Sequence, residues 1–419
     1  MTTSYQFPHA VPGPASVQSP TWHCGDPFAE QRSAHHNGAL IDFRHLAVLS
    51  ISGEDSPSWL HSLLSQKVVD MPADSTTRSE LRRAHVLDAH GHILEECWVA
   101  RTSDGYLLAT PQSHQHSLLD YLTSMMFWSR VTVTATDHTV TAILGPIAPE
   151  DAADVAQSTS EAPENTTASP AATAIENNGL PLPQHPLTPP APAPRPPLSA
   201  PIADIIENNN LVAAGGYPRG LPLTLLFVPP TADLPAVVDA LLATDLTAAG
   251  SWTWDALRCA TGLPEITTDV DERSLPHEYD AVGDPATGAA ASVTKGCYRG
   301  QETVAKIHNV GLPPRRQVVL LLDGSSELRP TPGTALYADP EQKKVAGRIG
   351  TVADHWEYGP MALALIRRTV DDATELTWKT DEGTGSAAIV SELSVHPAEH
   401  RAGRDAVQNF RSSARQRNL

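Results

Sequence analysis

Positive charge and aromatic rings are both scarce in this chain. Lysine and arginine number 29 against 48 aspartates and glutamates, a net charge of −19. So acidic a chain is poorly suited to neutralising runs of phosphates, which argues against non-specific nucleic-acid binding but leaves room for a local basic pocket that holds a small anion. Aromatic residues make up 5% of the sequence, so its cores must rest on Leu, Val, Ile and Ala. The four cysteines are Cys24, Cys97, Cys259 and Cys297. None forms a C-x-x-C pair, so zinc ribbons and ferredoxin-type clusters lack their usual spacing, and a disulfide framework is not expected. No metal site is read from the sequence. No apolar stretch reaches the ~18 residues of a membrane span. The first 20 residues show no basic segment followed by an apolar one, so a cytoplasmic protein without membrane contact is expected. The phosphate-binding G-x-x-x-x-G-K-S/T, the dinucleotide-binding G-x-G-x-x-G and the nucleophile motif G-x-S-x-G are absent as well.

What the chain does have is proline, 37 residues of it, concentrated where other signals fade. Residues 1–21, rich in Pro, Ser, Thr and Gln, are expected to be disordered. Residues 149–208 form a second such region, with TPPAPAPRPP inside it favouring extended polyproline II. The tail, 397–419, carries five arginines and is expected to be mobile. Three ordered regions remain, at 22–148, 209–315 and 316–396, as expected for a chain of 419 residues.

In the first region, alternation at Leu49 and Ile51 predicts a strand, and Asp55-Ser56-Pro57 a helix start burying Trp59, Leu60, Leu63 and Leu64. Strands follow at Ala84–Leu87, Ile93–Ala100 and Tyr106–Ala109, then a helix through Leu118 and Leu122, then a strand at Val131–Thr134. That order is a split β-α-β, ferredoxin-like unit. In the second region, Leu223–Val228 reads as a strand, and Leu234–Leu242 and Trp252–Cys259 as helices. Short strands from Val318 onward, spaced by Gly and Pro turns, predict a small barrel or sandwich.

Chemistry concentrates in Lys295-Gly296-Cys297-Tyr298-Arg299-Gly300-Gln301-Glu302. A helix is expected after Gly300, which puts Cys297 just before a helix N-terminus, between two cations. Local composition leaves it open between a structural thiol and a nucleophile or soft ligand. The pairs His90/His92 and His114/His116 have no third ligand nearby and read as turn or solvated residues. Asp269–Glu272 reads as a solvated loop.

The run resembles the K-G-C-F/Y-x-G-Q-E signature of the YgfZ family, relatives of the folate-binding T-protein of glycine cleavage that include a mitochondrial iron–sulfur assembly factor. Gly38–Asp42, Ile51–Asp55, Trp59-Leu60-His61, Leu257-Arg258 with Gly262-Leu263-Pro264, Leu275–Glu278, and Gly359-Pro360 with Ala362–Leu365 extend the resemblance over most of the chain outside its ends and the proline-rich insertion. It implies an α+β, three-domain ring of ferredoxin-like folate-binding domains plus a small C-terminal β-barrel, with tetrahydrofolate, or a one-carbon-substituted form, in the opening. It further implies Cys297 and Glu96 as reacting groups and Glu278, Arg316, Lys295, Tyr298, Gln301 and Glu302 as cofactor contacts. Glu278 matches the carboxylate that pairs with the pterin edge, and Arg315 or Arg316 the cation for the glutamate tail. The implied role is support of iron–sulfur cluster assembly or repair and of cluster-dependent enzymes, including tRNA modification, with iron–sulfur proteins or assembly factors as partners. The alternative is a folate-dependent aminomethyl or one-carbon transferase using Glu95 or Glu96. Where the T-protein has paired aspartates after its G-G turn, this chain has Gly91-His92-Ile93-Leu94-Glu95-Glu96. The longer glutamates would shift the carboxyl against folate N5, so glycine cleavage itself is not expected.

Overall fold

The computed structural model describes residues 6–14, 19–72, 78–146, 196–339 and 341–396. The expected mobile tail, most of the proline-rich insertion and parts of the N-terminal segment lie outside these residues. The chain begins with α1 (Pro27–His36), β1 (Ala39–Asp42), β2 (Leu46–Ser52), α2 (Ser56–Leu63) and β3 (Arg78–Leu87). It continues through β4 (Ile93–Arg101), β5 (Gly105–Pro111), α3 (Gln115–Ser124), β6 (Thr132–Thr136) and β7 (Thr139–Leu144). After the insertion come α4 (Ala200–Asn208), β8 (Val212–Gly216), β9 (Leu223–Val228), α5 (Leu234–Leu242), β10 (Thr247–Ala249), α6 (Ser251–Thr261) and α7 (Gln301–Asn309). Six further strands close the chain: β11 (Arg315–Leu322), β12 (Ala335–Tyr337), β13 (Val345–His355), β14 (Gly359–Arg367), β15 (Leu376–Thr380) and β16 (Gly383–Val390).

Two ferredoxin-like units share one ten-stranded sheet, ordered β10-β1-β7-β9-β8-β3-β4-β5-β2-β6. The first runs β2-α2-β3-β4-β5-α3-β6, as the periodicity predicts. The second, β7-α4-β8-β9-α5-β10, repeats that plan with β1 inserted between β7 and β10. They join where β3 lies parallel to β8, Arg78 opposite Ala213. Each unit buries its helices on one sheet face: Leu60, Leu64, Leu118 and Leu122 in the first, Ile206, Val238 and Leu241 in the second. The last six strands form a closed barrel, β11-β14-β13-β12-β15-β16, around Leu336, Ile349, Ile366 and Trp378.

Three local expectations change. Residues 149–208 do not stay irregular to their end, because Ile202 and Ile206, four apart, bury one face of α4. The N-terminal segment is tied down where it is described: Phe7 is buried with the second unit, and Thr21 donates to Asp42 at 2.7 Å. Asp55 precedes α2 as expected but does not cap it, since its carboxylate receives Arg130 Nε and Nη2 at 3.1 and 2.8 Å.

The barrel is held to the sheet by α6, whose Ala256 and Cys259 pack on Val319, Met361 and Leu363. Arg258, buried on the same helix, donates to Asp269 at 2.9 Å and to Thr351 of β13 at 2.6 Å. The start of α7 is seated against the β3–β4 turn by two glycines. Gly300 has φ +82, and a Cβ there would lie 2.5 Å from the Asp88 carbonyl oxygen; Gly91 has φ +85 and faces Thr303. Gly300→Ala combines left-handed strain with a clash against fixed backbone, so a destabilisation on the order of 2 kcal/mol is expected. Urea unfolding measures it, and an unchanged midpoint would contradict the close approach.

Candidate functional site

The Lys295–Glu302 run is a surface loop pinned from below at several points. Lys295 turns inward: its ammonium donates to the carbonyls of His61, Leu64 (2.5 Å) and Gln66 (3.3 Å) at the end of α2. An ammonium has three donors, and all three are used. Burial pushes its pKa down to about 7, while the carbonyl acceptors favour the charged form. Tyr298 is also buried; its hydroxyl donates to Ser292 O at 2.9 Å, and the Lys295 ammonium lies 5.0 Å from its ring centroid. Gln301 Nε2 returns to Lys295 O at 3.2 Å. Between these anchors Gly296 and Cys297 stand exposed, with exposed Arg299 beyond, and α7 starts at Gln301 as anticipated. Glu302 is exposed in the first turn of α7.

Cys297 differs from the other three thiols in access. Cys97 and Cys259 are buried, and burial pushes both well above the ordinary thiol value. Cys24 is raised to about 12 by burial and then by the Glu30 and Asp42 charges. Cys297 is the exposed cysteine of the four.

Glu96 sits inside the first unit rather than at a surface. It lies opposite His85 across the β3–β4 pair, and its Oε2 receives Arg83 Nη2 at 2.5 Å and meets His85 Nε2 at 3.0 Å. Burial would raise its pKa, but Arg83 and His85 outweigh burial and hold it at about 2. Burial pushes His85 down, so a neutral ring that donates from Nε2 fits. Arg83 Nε and His85 Nδ1 have no hydrogen-bond partner among the described residues. Neither residue stands out in a motif, although alternation along β3 puts Leu81, Arg83 and His85 on one face. The neighbouring Glu95 points the other way and meets His114 Nδ1 at 2.7 Å. His92 pairs with Asp88 at 2.9 Å within its turn, and no cluster of three metal-ligating side chains occurs among the described residues.

The expected folate contacts at Glu278 and Arg316 are already engaged. Glu278 is fully buried, and its two oxygens receive Arg315 Nε and Nη2 at 2.9 and 2.8 Å, with Leu275 N–H as a third donor. A carboxylate so forked has no edge left for a pterin. Successive residues of β11 point to opposite faces, so Arg316 turns the other way and donates to Val370 O at 3.0 Å and to Asp372. The acidic run is not a solvated loop throughout. Asp269 is buried against Arg258 and Thr351. Burial would raise Asp271, but Arg315 holds it far below the ordinary carboxylate range.

One small pocket opens where the two units meet. Its wall includes Arg83 and Trp98 from the first unit, Gly216 at the end of β8, Tyr217 and Pro218 just after it, and Pro285. Its volume is about 10 Å³, comparable with the room one water needs. Arg83 lies 5.3 Å from the Trp98 ring centroid, so a cation and an aromatic face flank the opening.

No family model matches the chain. It is 28% identical over 165 residues to a chloroplastic Arabidopsis thaliana protein that carries the name of a transferase, covering 39% of this chain and 35% of that one. It is 21% identical over 274 residues to the tRNA-modifying protein YgfZ of Colwellia psychrerythraea, covering 65% and 68%. With the protein of the same name from Aliivibrio fischeri it shares 29% over 125 residues, covering 29% and 37%. The matches thus span about a third of the first and third relatives and two thirds of the second. Among solved structures, the glycine cleavage aminomethyltransferase T of Bartonella henselae superposes with a TM-score of 0.63 at 16% identity, over 91% of this chain and 93% of that one. The chain therefore has the fold of aminomethyltransferase T and, in sequence, resembles the YgfZ-type proteins.

Proposed function

We propose that the chain is a tetrahydrofolate-binding accessory protein in which Cys297 is the working thiol, and not an aminomethyltransferase. The observation that carries this reading is the contrast between Cys297 and Glu96. The thiol is exposed on a loop fixed from below, while the carboxylate is buried, ionised and held through one oxygen by Arg83 and His85. A general acid or base must titrate near the working pH and reach its substrate, and Glu96 does neither.

The side chains around the pocket suit the folate reading in chemical kind, and the opening of about 10 Å³ would have to widen to admit the cofactor. Trp98 and Tyr217 offer aromatic surface, and Arg83 offers a buried donor without a partner, which a ligand or water must satisfy. These residues, with the loop after β8, would hold the folate. Tetrahydrofolate, when bound, supplies a one-carbon acceptor. Lys295, Tyr298 and Gln301 shape the thiol loop instead of touching the cofactor. In the related proteins the names point to tRNA modification and the family resemblance to iron–sulfur clusters. A fixed, exposed thiol suits contact with such a cluster or its carrier, because thiolate is a soft ligand.

Two measurements test this. Calorimetric titration with tetrahydrofolate is expected to show saturable binding that Cys297→Ala leaves intact, since the thiol acts outside the pocket. Absence of binding by the unaltered protein would overturn the folate reading. The carboxylate lock is tested by pH. A carboxyl at about 2 in the folded chain and roughly 4.3 unfolded contributes stability that is present above the unfolded value and lost as pH falls toward 2. Glu96→Gln is expected to cost on the order of 3 kcal/mol at pH 7 and to flatten that acid limb. Parallel limbs in the two proteins would show that Glu96 is not held ionised.

A further inference from the structure

The two edges of the ten-stranded sheet differ. At one end β10 is only three residues long, and Ser33 of α1 meets its Thr247 at 2.6 Å. At the other end β6 pairs with β2 through five consecutive residues, Thr132–Thr136, without a bulge, and among the described residues no strand lies on its outer side. Its sequence is Thr-Val-Thr-Ala-Thr. Exposed edges are commonly guarded by charge, proline or a bulge, and this strand carries none of them. Two aromatic rings stand in water just before it. Met126 O accepts from Ser129 N–H at 2.8 Å, which closes a turn with Phe127 and Trp128 at its corner, 78% and 97% exposed. Phe127 holds φ 42, a left-handed backbone that a bulky residue adopts only under constraint.

We infer that β6 and the Phe127-Trp128 turn form the interface of a homodimer, in which β6 of two copies pairs antiparallel about a two-fold axis through Thr134. The strand is self-complementary in that register. Thr134 faces its own copy, Thr132 faces the partner's Thr136, and Val133 faces the partner's Ala135. Threonine pairs are favourable cross-strand neighbours, and the outer N–H and C=O groups of β6 find identical groups across the axis. The axis stands across the sheet, so α3 of both copies covers the same face and the sheet runs on unbroken. At each end Arg130 falls beside the partner's Asp137, and Trp128 lies just beyond. Charge selects a second copy that meets this edge over other parts of the surface. Two chains of net charge −19 repel, and a strand without ionisable side chains is where they approach with least repulsion. Arg130 is already engaged by Glu54 and Asp55, so the edge offers no free cation or acid to a strongly charged partner. Aromatic rings presented on a closed turn lose little freedom on binding, and tryptophan is a common interface anchor.

Sedimentation equilibrium of the full chain over micromolar concentrations tests this. A monomer–dimer equilibrium is expected, and it tightens as salt screens the repulsion, whereas a partner held by opposite charge would be lost with salt. Thr134→Lys sets like charges opposite each other at the axis, and Trp128→Ala removes the anchor. Each is expected to weaken the dimer about tenfold or more and to leave the urea midpoint of the monomer unchanged, since both side chains are exposed. Thr134→Cys reports the register: mild oxidation should link it to its own copy, and Thr132→Cys, which faces the partner's Thr136, should link far less. A chain that stays monomeric overturns the assignment, as does a dimer that either variant leaves intact. Equal cross-linking at 132 and 134 contradicts the register. The edge lies apart from the pocket and the thiol loop, so none of these outcomes bears on folate binding.

Discussion

The carbonyls of His61, Leu64 and Gln66 at the end of α2 converge on the Lys295 ammonium. Carbonyls buried without a donor would cost on the order of 1–3 kcal/mol each. Satisfying them from a residue some 230 positions away, in the segment between the second unit and the barrel, fixes that segment on the first unit. Ser65 and Gln66 complete the joint by donating to Ala290 O and Ala289 O, both at 2.6 Å. Glycine at 300 then lets α7 start against the β3–β4 turn. The exposure of Cys297 follows from this: Lys295 and Tyr298, which flank the Gly296-Cys297 pair, are drawn inward, so the thiol is left exposed.

The same accounting governs the other buried charges. An acidic chain with few aromatics closes its interfaces with arginine forks: Arg258 between α6 and the barrel, and Arg315 between Glu278 and Asp271. Breaking such a pair leaves one charge buried and alone, which is why these residues read as architecture and not as ligand contacts. Arg83 differs from them, because it meets Glu96 through one nitrogen and its Nε has no partner among the described residues.

Much of this was legible in the sequence. Alternation and helical spacing place the first ferredoxin-like unit and, in the second, β9 and α5 but not β7, α4, β8 or β10, and turn residues from Val318 onward mark the barrel, because binary pattern follows directly from which face is buried. The helix after Gly300 is a local feature and was equally readable, whereas the exposure of Cys297 was not, because local composition is compatible with a structural thiol as well. Partners across long sequence distances were not. Glu278 looks like a free carboxylate until Arg315 is seen to take both its oxygens, and Lys295 looks like a cation beside the thiol until α2 is seen to end above it. Arg83 and His85 carry no motif; only the strand register sets them against Glu96. The helix at Ala200–Asn208 was hidden by the proline-rich composition that precedes it.

The most direct measurement is a thiol map: brief alkylation of the folded chain with iodoacetamide, followed by mass spectrometry of the four cysteine peptides. Rapid modification is expected at Cys297 alone, with buried Cys97 and Cys259 reacting only after unfolding and half-buried Cys24, its thiol raised to about 12, reacting far more slowly. Protection of Cys297 in the folded chain, or equal labelling of a second cysteine, would contradict a loop built to present one thiol.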